Sequence, residues 1–375
     1  MSDTYNRAFE TKLLTNKKTA SNLLWLAGGC RFMYNQFIDW DKCFWKAYCE
    51  DNTRPKPSRL ALYQEYVKLK STPGYEWLKD LPAKIVCQVL NHYLEAKNRY
   101  FMGSGRPRYK KRGSCDKFVV DNQQGRLIGN ELKITNNIRI RLAESPRYEG
   151  KIMSFGISRK GNDWYVSVSY ELQSDPRPKC EAPGSAVGVD LGIANQVTLS
   201  TGEQYSIRDT TKLERKLKYQ QRCLLRTQKN SKKHEKLLRR VQKTQQRLSN
   251  QRSDDTHKIT TTIAKNHGIV VLEAIDIQSM INAAKWRSLR RSLAKASMGE
   301  FRRQLIYKCQ KVFMVDRFFP SSQICSKCGH RHKMPLNVRT YVCPECGLVI
   351  DRDVNAAINI LAQYISGRGT PVVSC

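Results

Sequence analysis

Four cysteines near the end of the chain constrain its fold more than any other residues. They come as two CxxC pairs, Cys325 with Cys328 and Cys343 with Cys346, separated by residues 329–342. In such a pair two thiolates converge on one ion while backbone amides support the sulfurs. Gly329 and Gly347 follow the pairs, where a knuckle turn needs a glycine. The spacing predicts a structural zinc ribbon, one Zn²⁺ held tetrahedrally by four thiolates. A filled shell leaves no open position, so this zinc is expected to hold structure rather than do chemistry. His330 and His332 are expected to be exposed loop residues. Directly after the second pair comes Asp351-Arg352-Asp353-Val354-Asn355-Ala356-Ala357-Ile358-Asn359, an acidic opening to a helix.

The rest of the chain carries a large positive excess, 66 Lys+Arg against 33 Asp+Glu over 375 residues, net +33. Such a charge repels itself unless a polyanion neutralises it, and nucleic acid is the usual partner. A metal module beside acidic residues on so basic a chain points to a metal-dependent enzyme acting on nucleic acid. The other nine cysteines (Cys30, Cys43, Cys49, Cys87, Cys115, Cys180, Cys223, Cys309, Cys375) show no spacing pattern. That argues for a reducing, cytoplasmic setting rather than a disulfide framework. No run of about 18 apolar residues predicts a membrane span, and the N-terminus lacks the apolar core of a signal peptide.

Periodicity divides the chain into regions of different character. Residues 1–20 read as a strand and a polar turn, and 21–49 as an aromatic-rich helix. A turn at 51–58 precedes a short helix at 60–70. Residues 81–102 are an amphipathic helix with Val86, Val89, Leu90, Tyr93, Leu94, Lys97 and Phe101 on the core face. Lys84, Gln88, Asn91 and Glu95 line its opposite stripe. A basic loop follows, in which Arg106, Arg108, Lys110, Lys111 and Arg112 are candidates for nucleic-acid backbone contacts. Residues 118–121, 131–134, 138–142, 151–157 and 164–172 alternate as short strands, a small β-barrel. Residues 175–183 form a linker. Beyond it the pattern turns α/β, with buried strands at 187–191, 196–199, 269–273 and 311–315. Helices are expected at 297–308 and 354–365. Residues 212–250 read as a basic helical hairpin broken near Asn230. It fits a solvated charged pair and a cationic wall against nucleic acid equally well.

Three acids stand out by context. Asp190 ends Val187-Gly188-Val189, Glu273 ends the apolar run 269–272, and Asp353 opens the last helix. Acids at the ends of apolar strands are poorly solvated and repel one another, and such clusters usually hold divalent cations. Three carboxylates with two Mg²⁺ suit phosphodiester hydrolysis. Singly, each has a plainer reading: Asp190 as a turn residue, Glu273 as half of a salt bridge, Asp353 as a helix N-cap.

With these residues assembled, the chain resembles TnpB, the RNA-guided nucleases of bacterial insertion sequences related to type V CRISPR effectors. The most specific part is 321–360, SSQICSKCG…YVCPECGLVIDRDVNAAINI. Gly188-Val189-Asp190-Leu191-Gly192, Val271-Leu272-Glu273, residues 302–308, Gly105-Arg106-Pro107-Arg108-Tyr109-Lys110 and Gly29-Cys30-Arg31-Phe32-Met33-Tyr34-Asn35 support it independently. The resemblance implies a mixed, multidomain fold. Its parts are a wedge β-barrel (1–19 and 117–184) with an inserted helical recognition domain (20–116), and an α/β RNase H-like (RuvC) nuclease (185–321 and 349–375) with an inserted zinc ribbon (322–348). It assigns catalysis and two Mg²⁺ to Asp190, Glu273 and Asp353, with Asp353 preferred to Asp351. It implies a transposon-derived guide RNA that pairs with one strand of a double-stranded DNA target, with the protein, a monomer carrying one RNA, reading a short adjacent motif. Lys84 and Gln88 match motif-contacting positions, and Gln can bind adenine while Lys reaches guanine. A plain solvent-facing pair is the alternative for these two. Three other readings stay open: an RNA-guided repressor that does not cut, against which the intact acids count; a transposase or its accessory protein; and a zinc-ribbon nucleic-acid-binding protein with no catalysis, which leaves the strand-end acids unexplained.

Overall fold

The computed structural model describes residues 4–54, 56–113, 116–135, 138–335 and 338–372. The chain divides into two compact units, Met1–Pro176 and Arg177–Cys375.

The first unit begins with strand β1 (Tyr5–Leu14), followed by helices α1 (Lys17–Glu50), α2 (Arg59–Lys70) and α3 (Ala83–Phe101). Six strands follow: β2 (Lys117–Asp121), β3 (Gly125–Ile128), β4 (Glu131–Ile134), β5 (Ile138–Leu142), β6 (Lys151–Lys160) and β7 (Asp163–Leu172). Asn16 starts α1 with a capping box: its side chain accepts from the Thr19 amide, and the Thr19 hydroxyl accepts from the Asn16 amide. The seven strands form one antiparallel sheet in the order β2-β6-β7-β1-β5-β4-β3. β1 pairs with β7 from Tyr5↔Leu172 to Leu13↔Trp164, and its end passes to β5 at Leu13↔Leu142. The two outermost strands are joined by only residues 122–124, and a Cβ on Gly125 would sit 3.2 Å from the Val120 side chain. The ladder therefore curls until its edges meet, and the sheet is nearly closed. Alternation works as read: Trp164, Val166, Val168, Tyr170 and Leu172 of β7 are buried.

One position of α3 differs from expectation. Phe101 is not in the core but 62% exposed, with Tyr100 and Met102 exposed beside it. The last turn of α3 outruns its packing partners, and a helical stripe is buried only where something covers it. Lys97 does lie on the inner side, where its ammonium meets the buried Asp41 carboxylate at 2.6 Å. Strand β3 gave no clear sequence signal because it is short and only its first residue, a glycine, is buried.

The second unit opens with β8 (Ala186–Asp190), β9 (Val197–Leu199) and β10 (Gln204–Tyr205), then α4 (Thr211–Leu225) and α5 (Lys232–Asn266). It continues with β11 (Ile269–Glu273), α6 (Ile277–Ala283), α7 (Arg287–Ala296), α8 (Met298–Lys308) and β12 (Lys311–Val315). It ends with β13 (Thr340–Val342), β14 (Val349–Asp351), α9 (Arg352–Ile365) and β15 (Thr370–Val372). The main sheet has the order β10-β9-β8-β11-β12-β15, in which β8, β11 and β12 run parallel. Both faces are covered. Val270 and Leu272 pack with Ile263, Phe301 and Leu305 of α5 and α8, while Val271 packs with Ile360 of α9. Burial on both faces is why β8 and β11 read as continuous apolar runs.

The expected hairpin is α4 and α5, broken at residues 226–231 with Asn230 at φ 66°. However, α5 runs well past residue 250. Its later turns bury Thr256 and Thr260, whose hydroxyls donate back to the Arg252 and Thr256 carbonyls. Threonines that satisfy themselves this way look polar in sequence and still pack.

Candidate active site and metal centre

The ribbon is built by two local turns of the same design. In the first, the Gly329 amide donates to the Cys325 carbonyl and the Cys325 amide to that of His330. In the second, Gly347 donates to Cys343 and Cys343 to Leu348. Gly329 and Gly347 stand at φ 77° and 67°, conformations a Cβ would strain. The four thiol sulfurs all lie within 4.8 Å of one another, and Cys325–Cys346 and Cys328–Cys343 are each 3.5 Å apart. Thiolates about 2.3 Å from one tetrahedral ion would be spaced by nearly this distance. This cluster can hold zinc, and among the described residues no other group of three or more His, Cys, Asp or Glu side chains is so close. His330 and His332 are not plain exposed loop residues. Both are partly buried with their rings stacked, and His332 lies against Tyr341, which is fully buried. Seven cysteines elsewhere are free thiols; Cys115 and Cys375 lie outside the described residues.

The three acids meet at one end of the second sheet. Register pairs Leu272 with Val189 across parallel β11 and β8, so Glu273 and Asp190 leave their strands side by side. Asp353 comes from α9, and Gly188 brings it there. A Cβ at 188 would overlap the Ala357 carbonyl oxygen, so the helix backbone lies directly on β8. Residue 190 points to the same side as 188. Asp353 is one turn before Ala357, at the N-terminal end of the helix nearest Asp190. Asp351, not Asp353, is the N-cap: its side chain accepts from the amides of Asp353 and Val354 at 2.9 and 3.1 Å. Capping therefore occupies Asp351 and leaves the Asp353 carboxylate turned inward, 9% exposed.

The electrostatics are those of crowded like charges. Burial, then the Asp353 charge, pushes the Asp190 carboxyl up to about 7, against the pull of Arg352. Burial, then Asp190 and Asp316, pushes Glu273 up to about 7 as well, opposed by a hydrogen bond from Ser321. Asp353 is held by two guanidinium groups, Arg339 at 3.2 Å and Arg352 at 3.3 Å. The acids share a site without being closed tightly on one point. Asp316, Arg339, Arg352 and Ser321 escaped the sequence reading. Asp316 had a usable signal, since it follows the apolar strand β12 as Glu273 ends β11.

The asparagines of the Asn355-Ala356-Ala357-Ile358-Asn359 run have a physical task. Asn355 donates to the Ile324 carbonyl at 2.7 Å and accepts from the Ser326 amide at 3.0 Å. Asn359, one turn on, donates to the carbonyls of Ser321 and Ile324. Both are buried, so they tie α9 to the first knuckle, while small Ala356 and Ala357 let the helix approach the sheet.

In the first unit Lys84 and Gln88 share a stripe of α3. Lys84 is exposed, with its ammonium against the Gln123 side chain of the β2–β3 turn, and Gln88 is half-buried. Arg106, Arg108, Lys111 and Arg112 are exposed on the basic loop. That loop is pinned to α1: Asn35 makes two bonds with the Lys110 backbone, at 2.8 and 3.1 Å, and the Lys110 ammonium lies 3.3 Å from the Tyr34 ring centre. In the second unit α4, α5 and α7 line a groove of about 970 Å³ edged by Arg215, Lys218, Arg252, Arg291 and Lys295.

Residues 167–284 match a family described as "Probable transposase", and residues 299–360 match the "Cas12f1-like, TNB domain". The chain is 31% identical over 376 residues to a "Putative RNA-guided DNA endonuclease" of Streptomyces pristinaespiralis, covering 96% of this chain and 90% of that one. It is 29% identical to one from Escherichia coli (strain K12), InsQ, covering 98% and 94%. Among solved structures, it is similar to the Cas12f1-sgRNA-target DNA complex with 13% identity and a TM-score of 0.46, covering 95% of this chain and 98% of that chain. No helix among the described residues is long and apolar enough to cross a membrane.

Proposed function

The chain belongs to the TnpB family of RNA-guided DNA endonucleases, and from that premise we propose that Asp190, Glu273 and Asp353 form the site at which its second unit hydrolyses DNA. The observation that carries this reading is the meeting of three carboxylates from β8, β11 and α9, two of them pushed up to about 7 by burial and mutual repulsion. A divalent cation relieves that repulsion, so the residues fit a pair of Mg²⁺ ions. When bound, such ions supply an activated water and stabilise the leaving oxygen. The chain's own part is geometric. Parallel β8 and β11 fix Asp190 beside Glu273, and the Asn355 and Asn359 bonds fix the height of Asp353. The site lies at the C-terminal ends of the strands where the sheet order reverses, β8 continuing to β9 on one side and β11 on the other. Ligands of open α/β sheets bind at such a point. That order supports reading the sheet as RNase H-like, with the ribbon as an insertion holding one structural zinc.

The +33 charge supports a guide RNA and a DNA target as partners. In this reading Lys84 and Gln88 read the motif beside the target, and Arg106, Arg108, Lys110, Lys111 and Arg112 hold phosphates. The helical part of the first unit is the recognition domain and its curled sheet the wedge. The test is purification from cells carrying the native flanking DNA, sequencing of bound RNA, and presentation of a matching duplex with Mg²⁺. A discrete RNA and Mg²⁺-dependent breaks that vanish in Asp190→Ala support the reading. Bound RNA with no breaks, or breaks that persist in Asp190→Ala, would overturn the catalytic assignment.

A further inference from the structure

A cavity of about 290 Å³ in the first unit shares only Lys110 with the sites above. It lies between the outer face of β2, β6 and β7 and the helices α1 and α3. Strand alternation puts Phe118, Val120, Phe155, Ile157, Val166 and Val168 in the core, so Lys117, Val119, Gly156, Ser158 and Ser167 face outward into this space. From the helices come Arg31, Val89 and His92, and from the basic loop Lys110.

Three features say what the cavity suits. The first is charge. Arg31, Lys110 and Lys117 line it, and the nearby acid, Asp116, is taken by Arg31 at 2.9 Å and Arg159 at 3.3 Å. The second is unmet polarity. Among the described residues His92 and the hydroxyls of Ser158 and Ser167 make no side-chain hydrogen bond, although all three are partly buried. Burial holds the His92 imidazole below its ordinary value; exposed Glu95 opposes this, while Lys110, Lys117 and Arg99 add to it. The third is size and texture. The volume exceeds a bare phosphate, Val89 and Val119 supply apolar wall, and Gly156 leaves open the space a side chain would fill.

We propose that this cavity receives one unstacked nucleotide of the bound nucleic acid, its phosphate toward Arg31, Lys110 and Lys117 and its nucleoside against Val89, Val119 and His92. The proposal rests on the nucleic-acid reading above and adds a site to it. His92 lies one turn beyond Gln88 on α3, so a strand followed along that stripe reaches the cavity. Gly156 is the determinant of capacity, since any larger residue there occupies the nucleoside's place.

The experiment uses the full chain with its RNA, in the Asp190→Asn form so that DNA stays uncut. One arm carries 4-thiouridine in the RNA, the other 4-thiothymidine in the DNA target, and crosslinked peptides are mapped after irradiation. The expected result is a crosslink to residues 117–119, 156–158 or His92. The RNA arm would identify a guide nucleotide as occupant, the DNA arm a target nucleotide. Gly156→Leu should lower that crosslink about tenfold, with an unchanged unfolding midpoint. Lys117→Gln, an exposed change that leaves the sheet intact, should lower it about threefold. Absence of cavity crosslinks in both arms while other peptides crosslink would overturn the proposal, as would wild-type yield in Lys117→Gln. Guided cutting is scored separately with wild-type Asp190, so failure of the nuclease reading leaves this outcome intact.

Discussion

The four thiols of the ribbon and the three carboxylates of the second sheet are both ligand clusters, built by opposite means. Each pair of thiols comes from one four-residue turn, and both turns close with the same two backbone hydrogen bonds. The carboxylates come from residues 190, 273 and 353, on two strands and a helix that only tertiary packing brings together. The thiol sulfurs accordingly lie within 4.8 Å of one another, while the acids form no group as close and Asp353 rests on Arg339 and Arg352. Local geometry can pre-form a soft-metal cage. A cluster of like charges assembled by packing stays open until something positive enters. The two clusters are also mechanically joined, because Asn355 and Asn359 fasten the helix carrying Asp353 to the knuckle carrying Cys325 and Cys328.

Breaking the ribbon should have the largest effect. Cys325→Ser with Cys328→Ser is expected to abolish zinc binding, where structural zinc contributes on the order of 10 kcal/mol of folding free energy. Guided cleavage should fall with it, because α9 loses its anchor. Metal analysis beside a cleavage assay checks both, and full cleavage by a zinc-free chain would show the clusters to be independent.

Next comes Asp190→Ala, expected to reduce cleavage about a thousandfold or more while zinc content and RNA binding stay at wild-type levels. Loss of zinc in this variant would mean the coupling runs both ways.

Gly188→Ala sharpens the contrast. Its Cβ would strike the Ala357 carbonyl, pushing α9 off β8 and costing roughly 3 kcal/mol. The thiol cage, closed by local turns, should keep its zinc while cleavage is lost. Denaturant unfolding and metal content together decide this, and a stable, active Gly188→Ala protein would remove the packing account of the acid site.

The smallest effect concerns repulsion itself. The folded-state value of Asp190 is raised to about 7, above that of an unfolded aspartate. The folded protein then binds more protons than the unfolded one, and stability falls as pH rises between about 4 and 7. Without divalent metal, Asp190→Asn should therefore be more stable than wild type at pH 8, and the gain should shrink toward zero near pH 4. A gain that grows as pH falls would contradict the crowding argument.

Much of this was legible in the residues. The knuckles, their glycines, the strand alternation of β7, the apolar runs of β8 and β11 and the break between α4 and α5 are all local patterns. Each depends on residues within a turn or a strand of one another. Other features were not legible for identifiable reasons. The last part of α5 hid behind threonines that satisfy their own hydroxyls. Phe101 looked like core because periodicity reports a face but not whether anything covers it. His332 looked exposed because its partner, Tyr341, lies nine residues further along the chain. The Arg339–Asp353 pair joins a loop to a helix start, and no spacing rule predicts it.

The sequence by itself determined the thiol cage, the basic character of the chain and the identity of three acids as strand-end or helix-start residues. These follow from short-range stereochemistry and from charge, which sequence carries directly. Only the tertiary structure decided that Asp351 caps α9 while Asp353 turns inward, that Gly188 lets the helix lie on the strand, and that a cavity remains open beside Gly156. Each of these is a matter of which surfaces exclude one another, and excluded volume acts between residues that lie far apart along the chain.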